Sequence, residues 1–432
     1  MLTLRFPPTI FSFENDFFLK SLLLLVAFFV PWTGLGFMQY ELLIKEVSVI
    51  SLLVVIIWKN LFNHEPLWLD DSGRFYLFFI IVCVVHYFVY AVSSVKVSEL
   101  SFVSHVLVST ILNFSVYFIF VNARVKEVEL KFFLNTMFLI FLLLAAYFIF
   151  YALLIHEVSE QLGTPYFTSQ KNLGEMGFEV SYFGGMNGRS WFLLSLAAFF
   201  VGYFSSQKRY VLSLVAVSTS LAASYFMLSR GAMLFGTLLF VTLVIRTINI
   251  RQAILVLPFV IIILVLSYGL GAGFESLPAL ELLNEKSGFS SRDMLVFEAL
   301  DLALNDFLMG AGFHSLSVGK PDLAALGYLS ISVNGPQNTL MSILVEVGLI
   351  GVVLYSLFWL NLYLSVGRTL RRLPNSIEGH YLSGVRDMIV WIIFSFLFIH
   401  YFEKTFVGTP IFMMICGVGG SFVVAQKIRR GQ

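Results

Sequence analysis

Long apolar runs alternate with short polar connections along almost the whole chain. Runs able to span a bilayer fall approximately at 17–31, 41–57, 74–95, 101–121, 132–155, 188–204, 210–228, 231–245, 252–270, 337–365, 385–401 and 407–425. A perpendicular helix needs about 20 apolar residues to cross the hydrocarbon core, so this pattern predicts an all-α polytopic membrane protein with about twelve transmembrane helices. Residues 1–432 read as one integral membrane domain. Two connections on the same side are long: a smaller loop at 156–187 and a larger one at 271–336, which is too long for a simple link and is expected to fold over that face. Within the larger loop Ser291, Glu298, Asp301 and Asn305 recur at i, i+7, i+10 and i+14, while Met294, Phe297, Leu304 and Leu308 fall on another side. That spacing predicts an amphipathic helix lying at the membrane surface, with Gly310 and Gly312 as its stop signals. No short tandem repeat is visible, nor two matched halves with paired broken helices, the pattern that favours a transporter.

Composition strengthens the membrane reading. Hydrophobic residues make up 58% of the 432 and charged residues 12%, against roughly 25% charged in a soluble domain, so the polar shell that a water-exposed surface needs is missing. The net charge of +1 excludes the global basic field that binds nucleic acid. Cys83 and Cys416 both sit inside apolar runs and read as small buried hydrophobes. The N-terminal MLTLRFPPTIFSFENDFF has prolines and acidic residues before the first apolar run, and no cleaved signal peptide is expected.

Charge sets the orientation. Twelve spans place 18 of the 27 basic residues, together with both termini, on one side, which the positive-inside rule makes cytoplasmic. The nine on the outer side include only three arginines: Arg189 in GGMNGRSW, Arg230 in LSRGAM and Arg292 in FSSRDM. A guanidinium does not titrate and presents a fork that matches phosphate oxygens, so three of them at one membrane face point to an anionic ligand there. For each arginine taken singly, a carboxylate partner or a carbonyl cap is the competing explanation.

The same segments carry a resemblance. GGMNGRSW at 184–191, LSRGAM at 228–233, SSRDMLVFEALDLALNDFLMGAGF at 290–313 and PQNTLMSILVEVGLIG at 336–351 resemble, in order and side, the successive signatures of the O-antigen polymerase and O-antigen ligase superfamily. The resemblance covers roughly residues 180–360, and the first five spans share only hydropathy with it. It implies a GT-C type glycosyltransferase of the bacterial inner membrane, with its active site facing the periplasm and a donor glycan carried on undecaprenyl pyrophosphate. It also implies that no metal or other cofactor is needed. Arginines in a partly dry site can stabilise the charge that develops on the departing lipid pyrophosphate. A metal-dependent route calls for clustered carboxylates, and Asp70 and Asp71 stand on the cytoplasmic side without that context.

Ligases of this superfamily are known for a His followed by Asn, Ser or Gln, nine further residues and a Gly. Here the spacing persists as Gln337, Asn338 and Gly348, with Gln337 in the His position. An amide can orient a hydroxyl but has no useful proton affinity near neutral pH. The departure favours a polymerase, which moves a growing chain onto a new lipid-linked repeat unit, over a ligase, which moves it onto lipid A core. A lipid-linked oligosaccharide flippase is the alternative from a different class. The expected site therefore comprises Arg189, Arg230 and Arg292 at the pyrophosphate, Asn187, Gln337 and Asn338 as substrate-binding residues, and His314 as the nearest candidate base. Glu346 is expected to serve bundling or to hold the outer helix end, and Gly348 and Gly351 to serve helix packing. The partners implied are the lipid-linked oligosaccharide, membrane lipid and a chain-length regulator protein.

Overall fold

The computed structural model describes residues 68–94, 97–122, 125, 127–162, 186–227, 229–247, 289–311, 338–396 and 408–429. Among the described residues there are ten helices and no strand: α1 (Asp71–Ser94), α2 (Val97–Val121), α3 (Glu127–Leu162), α4 (Met186–Ser206), α5 (Tyr210–Phe226), α6 (Arg230–Thr247), α7 (Phe289–Asn305), α8 (Thr339–Leu370), α9 (Ile377–Ser395) and α10 (Gly408–Ile428). Nine of them overlie predicted apolar runs, and α7 is the helix expected within 271–336. The runs at 17–31, 41–57 and 252–270 lie outside the described residues. Among the described residues four helices are long and apolar enough to cross a membrane: Asp71–Val89, Glu127–Val158, Thr339–Leu370 and Ile411–Ile428. Thr110–Val121, Tyr210–Phe226 and Gly231–Thr247 are apolar but shorter.

The largest boundary difference is at α9, which begins eight residues before the predicted run at 385. Ser376 caps it by accepting from the Gly379 amide at 3.0 Å, and the polar residues of its first turns find partners inside the bundle. His380 Nδ1 lies 3.0 Å from Ser206 Oγ on α4, and Asp387 is paired with Arg246 at the end of α6. Hydropathy alone does not register such a start. α3 likewise gains a polar first turn, in which Lys131 reaches Glu127 at 2.8 Å one turn back.

α4 lies at the centre of the packing, buried continuously from Gly188 through Phe204 and packed against α3, α5, α6 and α9. Two glycines let α4 and α9 meet backbone to backbone. A Cβ added at Gly202 would lie 2.7 Å from the Ser383 carbonyl oxygen, and one at Gly384 would lie 2.7 Å from the Phe199 carbonyl oxygen. Small residues at a crossing are how apolar helices gain contact where lipid competes equally for larger side chains. Aromatic pairs fill the remainder, such as Tyr76 of α1 stacked on Phe358 of α8 at 4.8 Å.

One end of the bundle gathers basic residues with their partners. Lys427, ending α10, reaches Asp71 at 2.7 Å, and Arg74 approaches the same carboxylate at 3.5 Å. Asp70 is held beside them, with the Tyr117 hydroxyl 2.9 Å from both of its oxygens and the Gly73 amide at 3.0 Å. Arg246 and Arg386 both pair with Asp387. Because α4, α6 and α8 all finish toward this end, their first turns lie at the opposite one.

Candidate functional site

The first turn of α4 carries Gly188 and Arg189, and Arg189 is only 1% exposed. Its guanidinium carbon stands 4.8 Å from the ring centre of Tyr151 and 5.9 Å from that of Phe148. Those rings occupy α3 three residues apart and so share one face of it. A cation held over a ring in this way is attracted by the ring's negative face.

Arg230 opens α6, and its neighbour Gly231 lies against α4. A Cβ added at Gly231 would meet the Trp191 ring at 3.3 Å, and that ring pairs with Phe235 at 5.1 Å. The first turns of α4 and α6 therefore abut, bringing the main chain of Arg189 and Arg230 to the same end of the bundle. For Asn187, Arg230 and Arg292 the described part is the main chain, and His314 and Gln337 lie outside the described residues. Arg292 belongs to the first turn of α7, which docks on α8.

α8 supplies the rest of this end. Asn338 is its N-cap, its Oδ1 accepting from the amides of Leu340 at 3.0 Å and Met341 at 3.1 Å. That oxygen is thus occupied in starting the helix, a role the expected acceptor contact did not include. The Thr339 amide donates to the Phe396 carbonyl at the end of α9 at 3.0 Å, which ties the two helix ends together. One turn further, the Ser342 hydroxyl donates to the Asn338 carbonyl at 2.8 Å.

Less than a third of the way along, α8 is broken at Gly348, where φ is 74° and ψ is −174°. The packing expected of this glycine is made against a turn rather than against another helix. A turn following α7 inserts into the break: the Leu349 amide donates to the Phe307 carbonyl at 2.9 Å, and the Ala311 amide donates to the Val345 carbonyl at 2.7 Å. In an uninterrupted helix the Leu349 amide and the Val345 carbonyl would bond each other. Glu346 is buried beside this crossing at 1% exposure. Beyond the break, Gly351 packs within its own helix against Val347 and Ile343.

The residues that sequence reasoning missed are Tyr151 and Phe148, the bed beneath Arg189, and the turn at 306–311. Aromatic residues are frequent along α3 between Phe132 and Tyr151, so no signal marks those two rings. The turn could be read only as a helix stop. Among the described residues no group of three or more His, Cys, Asp or Glu is placed to hold a metal ion.

Residues 214–356 match a family model described as O-antigen ligase. The match runs from within α5, through the start of α6 at Arg230 and all of α7, to α8 beyond its break. It supports the O-antigen polymerase and ligase superfamily, whose members are glycosyltransferase-like membrane enzymes acting on lipid-linked glycans. The transporter reading finds no support in it. No curated protein matches the chain.

Proposed function

We propose that this protein is a polymerase of O-antigen or a related surface polysaccharide in lipopolysaccharide biosynthesis. In this reading it transfers a growing glycan from undecaprenyl pyrophosphate onto a lipid-linked repeat unit at the periplasmic face of the inner membrane. Residues 1–432 form one GT-C type domain of about twelve spans with both termini in the cytoplasm, and the segments 156–187 and 271–336 stand over the site. The observation that carries the reading is the family match over 214–356, because it takes in Arg230, α7 with Arg292, and the start and break of α8 together.

The chemistry is a substitution at the anomeric carbon. An acceptor hydroxyl forms the new glycosidic bond, the bond to the pyrophosphate oxygen breaks, and the leaving lipid pyrophosphate takes the electron pair. Arg230 and Arg292 stabilise its growing charge, and Arg189 forms the buried wall behind them. The hydroxyl proton passes to a base, for which His314 is the candidate. Asn187 and the Gln337–Asn338 pair orient substrate. Gln337, in the place of the ligase histidine, supports polymerase over ligase, because it can position a hydroxyl without taking its proton.

The test is to incubate the purified protein with a single lipid-pyrophosphate-linked repeat unit. A ladder of longer lipid-linked products is expected without any added core lipid. Transfer only when lipid A core is supplied would make the protein a ligase, and no transfer under either condition would overturn both.

A further inference from the structure

We propose that Gly310 and Gly348 are positioning residues whose backbone crossing fastens α7 to α8, making one preorganised block of the helix that carries Arg292 and the helix start that carries Asn338. The inference rests on the glycan-transfer reading and adds to it a pair of residues that touch no substrate.

The crossing leaves no room for any other residue. A Cβ at Gly348 would lie 2.3 Å from the Leu308 carbonyl oxygen and 2.6 Å from the Met309 carbonyl carbon; one at Gly310 would lie 2.5 Å from the Gly348 nitrogen. Every one of these neighbours is a main-chain atom, so no side-chain rotation relieves the clash. Both glycines also hold positive φ, 73° and 74°, where a side chain is strained whatever the space. The hydrogen bonds make the contact specific. The α8 bond between the Leu349 amide and the Val345 carbonyl is opened, and the turn closes both ends, accepting through Phe307 and donating through Ala311. Within the turn, the Gly310 amide donates to the Asp306 carbonyl at 2.7 Å. Val345 is buried and Leu349 partly so, and backbone polar groups shielded from water persist only when satisfied, so withdrawing the turn would leave two groups on α8 without these bonds at once.

A second contact continues the seam. Ala299 and Ala303 of α7 are buried together with Val345 of α8. Arg292 precedes Ala299 by seven residues, two helical turns, which puts its Cα on the same stripe of α7. Buried Ala299 and Ala303 in the second half of α7, and the hydrogen-bonded glycine crossing just beyond its end, together hold α7 against sliding along α8. Holding charged groups in a fixed relation before substrate arrives is what electrostatic catalysis requires, and a displacement of about 1 Å can cost about a hundredfold in rate.

The experiment pairs a disruption with a reversible repair. Gly310→Ala is expected to lower the rate of glycan transfer about a hundredfold and to abolish hydrogen-exchange protection at the Leu349 and Ala311 amides. Adding Ala303→Cys and Val345→Cys to that variant should restore most of the rate on oxidation and lose it again on reduction, a reversal that a folding defect would not show. In the otherwise native protein the same oxidised cysteine pair should leave turnover within about twofold, since α7 and α8 already act as one body. Full activity in Gly310→Ala, failure of oxidation to repair it, or inactivation of the native protein by the cross-link would each overturn the proposal. Should Gly310→Ala not fold, the native-background cross-link still decides. An unmodified protein that transfers no glycan would instead count against the functional reading.

Discussion

Arg246, in the last turn of α6, donates to the carboxylate of Asp387 on α9, and Gly202 of α4 lies against the same carboxylate, where an added Cβ would sit 2.8 Å from Oδ2. Three helices therefore meet at one ion pair at the basic end, and two of them carry Arg189 and Arg230 at their far ends. The Arg246 side chain is 31% exposed and that of Asp387 only 9%. Removing either partner leaves the other without its strongest contact, and the more buried charge suffers more. Arg246→Ala is expected to cost on the order of 2–3 kcal/mol and Asp387→Ala on the order of 1–2 kcal/mol, both below a fully buried pair because solvent reaches the arginine. Thermal unfolding in detergent measures both, and equal or reversed losses would contradict the account.

The bed under Arg189 gives a second prediction. A cation over an aromatic face contributes about 1–2 kcal/mol when the pair is desolvated, and the ring supplies that attraction with or without its hydroxyl. Tyr151→Phe should therefore keep most of the stability and glycan transfer, whereas Tyr151→Leu fills similar space without the ring face and should lower both. Indistinguishable Phe and Leu variants would show that the ring provides packing alone.

Gly231 gives a third. At 3.3 Å from Trp191, the methyl of Gly231→Ala needs a shift of a few tenths of an ångström, while alanine, in the first turn of α6, gains only part of the about 0.5–1 kcal/mol it brings to a helix interior. The two effects nearly offset, so Gly231→Ala should fold and work. Gly231→Leu would drive the first turns of α4 and α6 apart and is expected to reduce transfer severalfold in protein that still elutes as a monodisperse peak. Full activity in that variant would mean that the spacing of the two arginine-bearing turns is not critical.

The helices that apolar runs mark were legible because a 20-residue run has few other uses. The start of α9 was not: Glu378, His380 and Asp387 look like the edge of a loop until Ser206 and Arg246 are seen to meet two of them. The break in α8 was hidden for the opposite reason. A glycine in LVEVGLIG reads as a packing residue, and only the turn at 306–311, some forty residues earlier in the chain, makes it a crossing. Of the candidate site, the arginines stood out because charge is scarce in an apolar chain. The capping role of Asn338 was equally visible in principle, since Asn before an apolar run is an N-cap signal.

The arginines themselves provide the sharpest test, because lysine keeps the charge while losing the fork. Arg230→Lys and Arg292→Lys preserve the balance of charge across the membrane, so insertion and folding should be unchanged. What disappears is the paired, planar donation to two phosphate oxygens. Hydrogen bonds to charged groups contribute about 1.5–3 kcal/mol each, which converts to a loss in rate of about ten- to a hundredfold per variant if the contact tightens as the pyrophosphate departs. Arg368→Lys at the basic end is the internal control. There the guanidinium bonds the Leu364 carbonyl at 3.3 Å and the Ser365 hydroxyl at 3.2 Å, far from the proposed chemistry, and lysine should be tolerated. The rate of lipid-linked product formation, measured against the amount of monodisperse protein, separates the two ends. If Arg230→Lys and Arg292→Lys turn over as fast as Arg368→Lys, bidentate recognition of pyrophosphate is wrong, and these arginines act as diffuse charge or as structural residues.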